Sequence, residues 1–418
     1  MDPQQHARAA ELTRDPYPLY ARARGAKGLT YVPEFGAWLV ARDADVREVL
    51  RRPDVFSSAN AVRGSARPSP AALAVLADGE GFSSRGGVVV TSDGLAHQRL
   101  RAPIVRGLGP ARVAAALPFA VECAEALVDA FADKGRVELM EAYAMRLPGQ
   151  VVGHVLGLDP ADVPLVVRAG HRTEALLFRP LGEEEQLAAV HDMVAVKRLL
   201  DGYVCDRYAA PRDDLTSELV TSLATADDAE EGEPGLLTLA QRTELVAHLN
   251  NFLLAGHLTT TALIGTAFLH LLSNPDQWRM VCEEPERMIP AAIEETARFD
   301  TALQAFRRVT TRPATLAGTE LPAGAELLVA FGAAGRDDAR YPRPDVFDIT
   351  RPAAARHVAF GLGAHACPGA LLAREQMRLT LELFTRRFPG LRIAADAPEV
   401  TMRPSLIHRA PEALHLTW

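Results

Sequence analysis

A mainly α fold with small β-sheets is what this sequence predicts, and three observations carry it. From His97 to about Leu223 apolar residues recur almost without interruption at helical spacing. A second helical pattern runs unbroken from Leu239 to Leu272. Strand-like runs are short and gather toward the two ends of the chain. At 418 residues, 48% hydrophobic and 23% charged, the composition is that of a globular protein able to bury a large core, and residues 1–418 are expected to form one domain.

In chain order, Asp15-Pro-Tyr-Pro opens a short helix, and residues 29–32 and 37–40 alternate as a hairpin turning at 34–36. A helical pattern covers Asp43–Arg51. Residues 57–93 are rich in Gly, Ser and Pro apart from an Ala/Leu run at 71–77. A loop of that length inside a compact domain is usually a lid or a binding loop. The helical region after it stops at 107–110, at Gly135 and at Asp159-Pro160. Residues 226–235 read as an acidic linker. Thr238 and Gln241 have capping-box spacing and start the longest helix, roughly 50 Å at about 1.5 Å per residue, which Ser273-Asn-Pro stops. A helix at about 286–299, short strands at 305–310 and 326–330, a helix after Cys367 and an edge-like strand at 413–418 complete the reading.

Net charge is −8, which argues against a nucleic-acid partner, since phosphate binding wants a basic surface. The N-terminus shows no basic start followed by an apolar stretch. The most apolar run, 263–272, is interrupted by Gly265 and His270 and is too short to span a bilayer. No membrane association and a cytoplasmic location are therefore expected. The cysteines at 123, 205, 282 and 367 are scattered and form no CxxC pair, so neither a disulfide scaffold nor a zinc site is indicated.

The strongest chemical signal is Phe360-Gly-Leu-Gly-Ala-His-Ala-Cys-Pro-Gly369. Gly361, Gly363 and Gly369 let the backbone turn tightly and approach something flat. Cys367 precedes a helix, where unpaired N–H groups and the dipole favour a thiolate. A thiolate on such a loop, with no metal-ligand partners nearby, suits a single axial ligand to haem iron. The bland alternative is a buried structural cysteine. Glu295 and Arg298 lie on one helix face, as do His97 and Arg101 at i,i+4; taken alone, either pair reads equally as surface charge. In the long helix, Ala255 and Gly256 leave room beside Thr259, whose hydroxyl can bond back to a carbonyl and open a groove.

The loop matches the pattern FGxGxHxCxG, and on it the sequence resembles the cytochrome P-450 superfamily over essentially the whole chain. The resemblance implies heme b (iron protoporphyrin IX) lying between the long central helix and the cysteine loop. Cys367 would be the proximal iron ligand, Phe360 would pack beside it, and His365 would touch a haem propionate. His97-Gln-Arg-Leu-Arg101 matches the family's HxxxR, and Arg308 its other propionate-binding arginine, with neighbouring Arg307 leaving the register open. Glu295, Arg298 and Arg351 match the family's structural triad. Ala255-Gly-His-Leu-Thr259 resembles the oxygen-binding segment, in which the threonine steers protons. Here Leu258 stands where the family commonly has an acid, so protons would come by water, His257 or a substrate group, unless Leu258 simply faces the core. Pro368 removes one backbone N–H near the sulfur, or merely starts the next helix.

The activity implied is monooxygenation: one oxygen atom from O2 inserted into a hydrophobic small molecule, by hydroxylation or epoxidation, in secondary-metabolite tailoring. Electrons would come from a ferredoxin and its NAD(P)H-dependent reductase, with Arg99, Arg106, Arg112, Arg374 and Arg378 as a basic face for the ferredoxin. By position, the substrate pocket, for a free or carrier-protein-bound molecule, would include Val88, Val89, Leu177, Leu254, Leu258, Ala302, Leu303, Leu406 and Ile407. Three alternatives stand beside this reading: a peroxide-driven or redox-neutral haem-thiolate enzyme, a non-catalytic haem-binding recruitment protein, and a helical enzyme without haem.

Overall fold

The computed structural model describes residues 12–78, 87–224, 236–352 and 354–418. It is mostly helical, with small sheets, and its described residues separate into two compact units. One comprises residues up to Arg63, Ala120–Pro148 and Thr259–Trp418; the other comprises Gly64–Phe119 and Gly149–Leu258. The sequence-expected linker and part of the Gly/Ser/Pro-rich stretch lie outside the described residues.

The strands belong to the first unit: β1 (Thr30–Val32), β2 (Ala37–Val40), β3 (Phe56–Ser57), β4 (Arg136–Glu138), β5 (Ala305–Thr310), β6 (Ala314–Leu316), β7 (Thr319–Leu321), β8 (Glu326–Ala330), β9 (Arg392–Ile393) and β10 (His415–Thr417). The hairpin β1–β2 joins β8 in parallel, and β8 pairs antiparallel with β5, giving the five-stranded order β1-β2-β8-β5-β3. Leu327 and Val329 of β8 share a face with Arg308 and Phe306 of β5 and pack onto the helix Asp43–Arg51 through Val46, Val49 and Leu50. Arg308 thus lies on the core face of the sheet and Arg307 on the other, because successive strand residues alternate.

Two expectations are corrected here. The C-terminal strand is not an edge: β10 lies between β4 and β9, two strands of three and two residues that are too short to show a period. The long helix, Leu239–Leu272, is long and apolar enough by composition to cross a membrane, and it is mostly buried in the fold. Burial, and not shortness, is what marks it as a core helix. Its start is capped reciprocally: the Thr238 N–H donates to Gln241 Oε1 at 2.9 Å and the Gln241 N–H to Thr238 Oγ1 at 3.3 Å. A helix at Pro275–Glu283, begun by the proline that ends the long helix, was not anticipated, nor was the β6–β7 hairpin.

The second unit is helical. Its helix Glu183–Ala209 packs on Val163–Phe178, on Pro70–Asp78 and on Leu215–Leu223. Close approach there relies on missing side chains. A Cβ at Gly153 would stand 2.7 Å from Val163, and one at Gly256 2.7 Å from Val152.

Candidate haem-thiolate site

The loop from Phe360 to Gly369 is closed on itself. The Cys367 N–H donates to the Phe360 carbonyl at 2.7 Å, across a turn that includes the 3-10 segment Gly363–His365. Gly361 and Gly363 have φ of +73° and +69°, which L side chains rarely adopt. A Cβ at 363 would in addition stand 2.8 Å from the Leu50 carbonyl, so the loop lies flush on the helix Asp43–Arg51. Cys367 is exposed, whereas the other three cysteines are partly covered. Pro368 falls in the turn before Gly369, the N-cap of the helix Ala370–Arg387; it is not that helix's first residue. Beside the loop, His365 Nε2 lies 3.2 Å from Ser58 Oγ. Ser58 carried no signal in the sequence, being one serine in a stretch of many.

Behind the loop, Glu295 and Arg298 are both 0% exposed and meet in two hydrogen bonds of 2.7 Å. Arg298 also donates to the carbonyls of Gly335 (2.6 Å) and Pro344 (2.9 Å). Arg351 Nε donates to Glu295 Oε1 at 3.2 Å, and the Asp348 N–H reaches the same oxygen at 2.9 Å. The remaining Arg351 nitrogens hold the carbonyls of Pro342, Arg343 and Val346. The arrangement ties the helix Pro285–Phe299 to residues 335–351.

On the sheet, Arg307 and Arg308 part company. Arg307 approaches Glu326 at 3.6 Å, which Arg63 also grips at 2.7 and 2.9 Å. Arg308 is buried on the core face, its Nη1 donating to the Arg307 carbonyl at 2.7 Å. That supports Arg308, not Arg307, as the arginine for a ligand on this side. In the second unit, His97 is buried within the helix Gly94–Gly107, one turn from Arg101. Burial, reinforced by the Arg101 charge, pushes its imidazole below the usual histidine range, so it is held as a neutral donor near pH 7.

On the long helix, Ala255 is exposed and Thr259, one turn on, is partly so; the two share a face. Leu258 is 7% exposed and belongs to the packed side. Gly256 fits against Val152, so its lack of a side chain serves a helix crossing. His257 is buried, its Nδ1 2.7 Å from the Leu253 carbonyl and its ring edge-on to His171 at 5.5 Å. Two residues from both Ala255 and Thr259, it points to the opposite side of the helix.

The residues expected to line a pocket fall into local groups. Val88 and Val89 form a tight turn before the helix Gly94–Gly107, with the Val88 N–H donating to Thr91 Oγ1 at 3.0 Å. The Leu177 carbonyl accepts the N–H groups of Ser65 (2.9 Å) and Ala66 (3.0 Å). Leu254 is partly exposed on the long helix. The segment holding Ala302 and Leu303 is bonded to the one holding Leu406 and Ile407: the Gln304 N–H donates to the Ile407 carbonyl at 2.6 Å and the Arg409 N–H to that of Ala302 at 3.0 Å. Leu303 bridges to His408. Ala302, Leu406 and Ile407 are buried, and Leu406 borders a small cavity with Tyr20 and Phe35.

Comparison with known proteins settles the family. The family profile described as Cytochrome P450 matches residues 175–417. The chain is 34% identical to Cytochrome P450 144 of Mycobacterium tuberculosis over 97% of its own length and 90% of the relative's. It is 32% identical to the vitamin D(3) 25-hydroxylase of Pseudonocardia autotrophica, over 97% and 94%. Among solved structures, a cytochrome P450 in complex with (4-ethylphenyl) dihydrogen phosphate superposes with a TM-score of 0.86 at 29% identity, over 97% of this chain and 98% of that one. The heme domain of a P450 from Tepidiphilus thermophilus gives 0.88 at 27% identity, over 97% and 94%.

This chain belongs to the cytochrome P450 family.

It is therefore an oxidoreductase of the P450 monooxygenase class, whose cofactor is a haem held by a cysteine thiolate. The residues present fit that group. Cys367, on a loop that Gly361 and Gly363 turn tightly, would supply the thiolate that holds the haem. Cys367 is exposed on a glycine-shaped loop, and His365 of the same loop is held by Ser58. P450s draw electrons from redox partners, and the five arginines expected to face one do not form a bare basic patch. Arg106 pairs with Glu218 (3.2 Å), Arg112 with Asp213 (3.1 Å), Arg374 with Glu294 (2.6 Å) and Arg378 with Glu375 and Glu382 (2.8 Å each). Arg99 donates to the Leu223 carbonyl at 3.2 Å. Arg378 finds its acids three and four residues away on its own helix, whereas the acids that meet Arg106, Arg112 and Arg374 are distant in sequence, so the arginines alone gave no sign of their neutralisation.

Proposed function

We propose that this P450 binds heme b and inserts one oxygen atom from O2 into a hydrophobic small molecule, by hydroxylation or epoxidation, as a tailoring step on a secondary metabolite. The observation that carries the reading is the exposed Cys367 on a loop closed by its own N–H to Phe360. Relatives of similar identity support the reaction class: one is named as a vitamin D(3) 25-hydroxylase, another as a mycinamicin IV hydroxylase/epoxidase from Micromonospora griseorubida, 32% identical over 92% of this chain. Haem with a thiolate ligand pushes electron density toward O–O cleavage.

Each residue then has a local task. Cys367 supplies the thiolate, and Phe360 and the glycines of 361, 363 and 369 shape the loop around it. By the family resemblance, Arg308 and His365 in the first unit and His97 and Arg101 in the second would each be a donor for a haem propionate. Glu295, Arg298 and Arg351 hold the backbone behind the loop. Ala255 leaves space on the open face of the long helix, and the Thr259 hydroxyl, one turn away, holds and passes protons there. Leu258 keeps water from the packed side. Val88, Val89, Leu177, Leu254 and Leu303 offer apolar surface to substrate. A cytoplasmic setting with ferredoxin and an NAD(P)H-dependent reductase as electron source accords with the bacterial relatives.

The test is an optical titration of the haem-loaded protein with hydrophobic natural-product scaffolds, free and bound to a carrier protein. A saturable low-spin to high-spin shift, followed by oxygenated product with ferredoxin, reductase and NAD(P)H, is expected. Product formed faster with peroxide alone would move the reading to a peroxide-driven enzyme. A haem-loaded protein that binds the scaffolds but yields no oxidised product would overturn it.

A further inference from the structure

Glu294 sits next to Glu295 in the helix Pro285–Phe299, yet its carboxylate goes elsewhere. Arg374, in the first turns of the helix that follows Cys367, donates to it twice, at 2.6 Å from Nε and 3.1 Å from Nη2. His357 Nε2 lies 3.2 Å from Oε2, the oxygen that Arg374 Nη2 also reaches. His357 Nδ1 accepts the Ala359 N–H at 3.1 Å. The ring therefore turns Nδ1 to the loop backbone and Nε2 toward Glu294. The Arg374 guanidinium in turn lies over the Phe360 ring, 4.2 Å from its centroid, and the Phe360 carbonyl receives the Cys367 N–H. The contacts form a closed circuit: Glu294, His357, Ala359, Phe360, Arg374 and back to Glu294.

We propose that Glu294 and Arg374 are positioning residues that balance charge beside the cysteine loop and so set the reduction potential of the thiolate-bound iron. This rests on the haem-thiolate reading above. The outer partners of a metal ligand orient it and tune its potential. Here the partners are an anion and a cation held bidentately, which fixes the loop while presenting little net charge to it. Burial pushes the Glu294 carboxyl up, but the bonds from His357 and Arg374 outweigh it and hold the group down to about 2. It is thus ionised at any working pH. Neutralising Glu294 leaves the Arg374 cation unopposed, which favours the reduced centre that has gained an electron. Neutralising Arg374 leaves the anion, which disfavours it.

The prediction is therefore one of opposite signs. In the haem-loaded protein, Glu294→Gln raises the midpoint potential in a spectroelectrochemical titration, Arg374→Gln lowers it, and the double variant returns close to wild type. Arg374→Lys, which keeps the charge and loses the planar fork, stays nearer wild type than Arg374→Gln. The Soret band of the ferrous carbon-monoxide complex, read on each sample, reports whether the thiolate remains the ligand. Thiolate ligation lost in a single variant and regained in the double one also supports the coupling. Potentials that shift in one direction in both single variants, or that do not shift, overturn the proposal. So does thiolate ligation lost in both single variants and the double alike. A wild-type protein that binds haem without the thiolate signature would instead sink the haem-thiolate reading itself.

Discussion

Arg298 directs its guanidinium at Glu295 and at the carbonyls of Gly335, Pro344 and Val346, with no exposure to water. A buried ion pair is weak evidence of stability when both partners are replaced, but removing one partner leaves an uncompensated charge. Arg298→Met leaves Glu295 with Arg351 and the Asp348 N–H, leaves Val346 with Arg351, and strands the carbonyls of Gly335 and Pro344. We expect a loss of about 3–5 kcal/mol in unfolding free energy, read by urea denaturation of the haem-loaded protein. Arg351→Met should cost less, because Glu295 keeps both bonds to Arg298. Equal small losses from the two variants would show that the pair does not hold the loop. Leu258 illustrates the same scale of argument in reverse. Its burial on the packed side supports the reading in which this leucine serves the core, at a position where the family resemblance led one to expect an acid.

Elements show where a one-dimensional pattern is enough and where it is not. The long helix and its cap were legible because apolar periodicity and a Thr/Gln pair act locally. The central place of β10 was not, because β4 and β9 come from positions about 280 and 20 residues away and carry no period of their own. The same contrast divides the site. The Phe360–Gly369 loop announces itself through glycines and a cysteine at fixed spacing. Ser58, Glu294 and His357 are single polar residues whose partners are distant in sequence. Helix crossings are equally silent until the fold is known. Gly170 of the helix Val163–Phe178 is one such case: a Cβ there would stand 2.5 Å from His257 Nε2. Gly170→Ala should cost about 1–3 kcal/mol by overpacking, in spite of alanine's better helix propensity. Adding His257→Ala should recover part of that loss in thermal unfolding. A Gly170→Ala protein as stable as wild type would show that the crossing has slack.

At the scale of the whole molecule, one carboxylate joins segments that span nearly the entire chain. Asp300 accepts from the Tyr17 hydroxyl at 2.6 Å, from His270 Nε2 at 2.9 Å and from Arg409 Nε at 2.5 Å. The Arg336 guanidinium lies over the Tyr17 ring at 3.5 Å. Burial pushes the Asp300 carboxyl up, but Arg409, His270 and Arg336 together pull it well below the usual range; Glu294 is held down to about 2 for a like reason. Both groups release their protons more readily folded than unfolded, so the unfolded chain binds more protons through the acid range. Their contribution to stability is complete above the ordinary carboxylate range, about pH 4–5, and is lost as pH falls toward their folded values. Unfolding free energy should therefore drop steeply between about pH 5 and pH 2. Asp300→Asn should lower stability near pH 7 and flatten that drop, because asparagine has no proton to take up and cannot balance the buried Arg409. The check is a series of urea midpoints across pH for both proteins. If Asp300→Asn loses stability with the same acid slope as wild type, the hub holds its segments by hydrogen bonding alone and its charge does not govern the acid response.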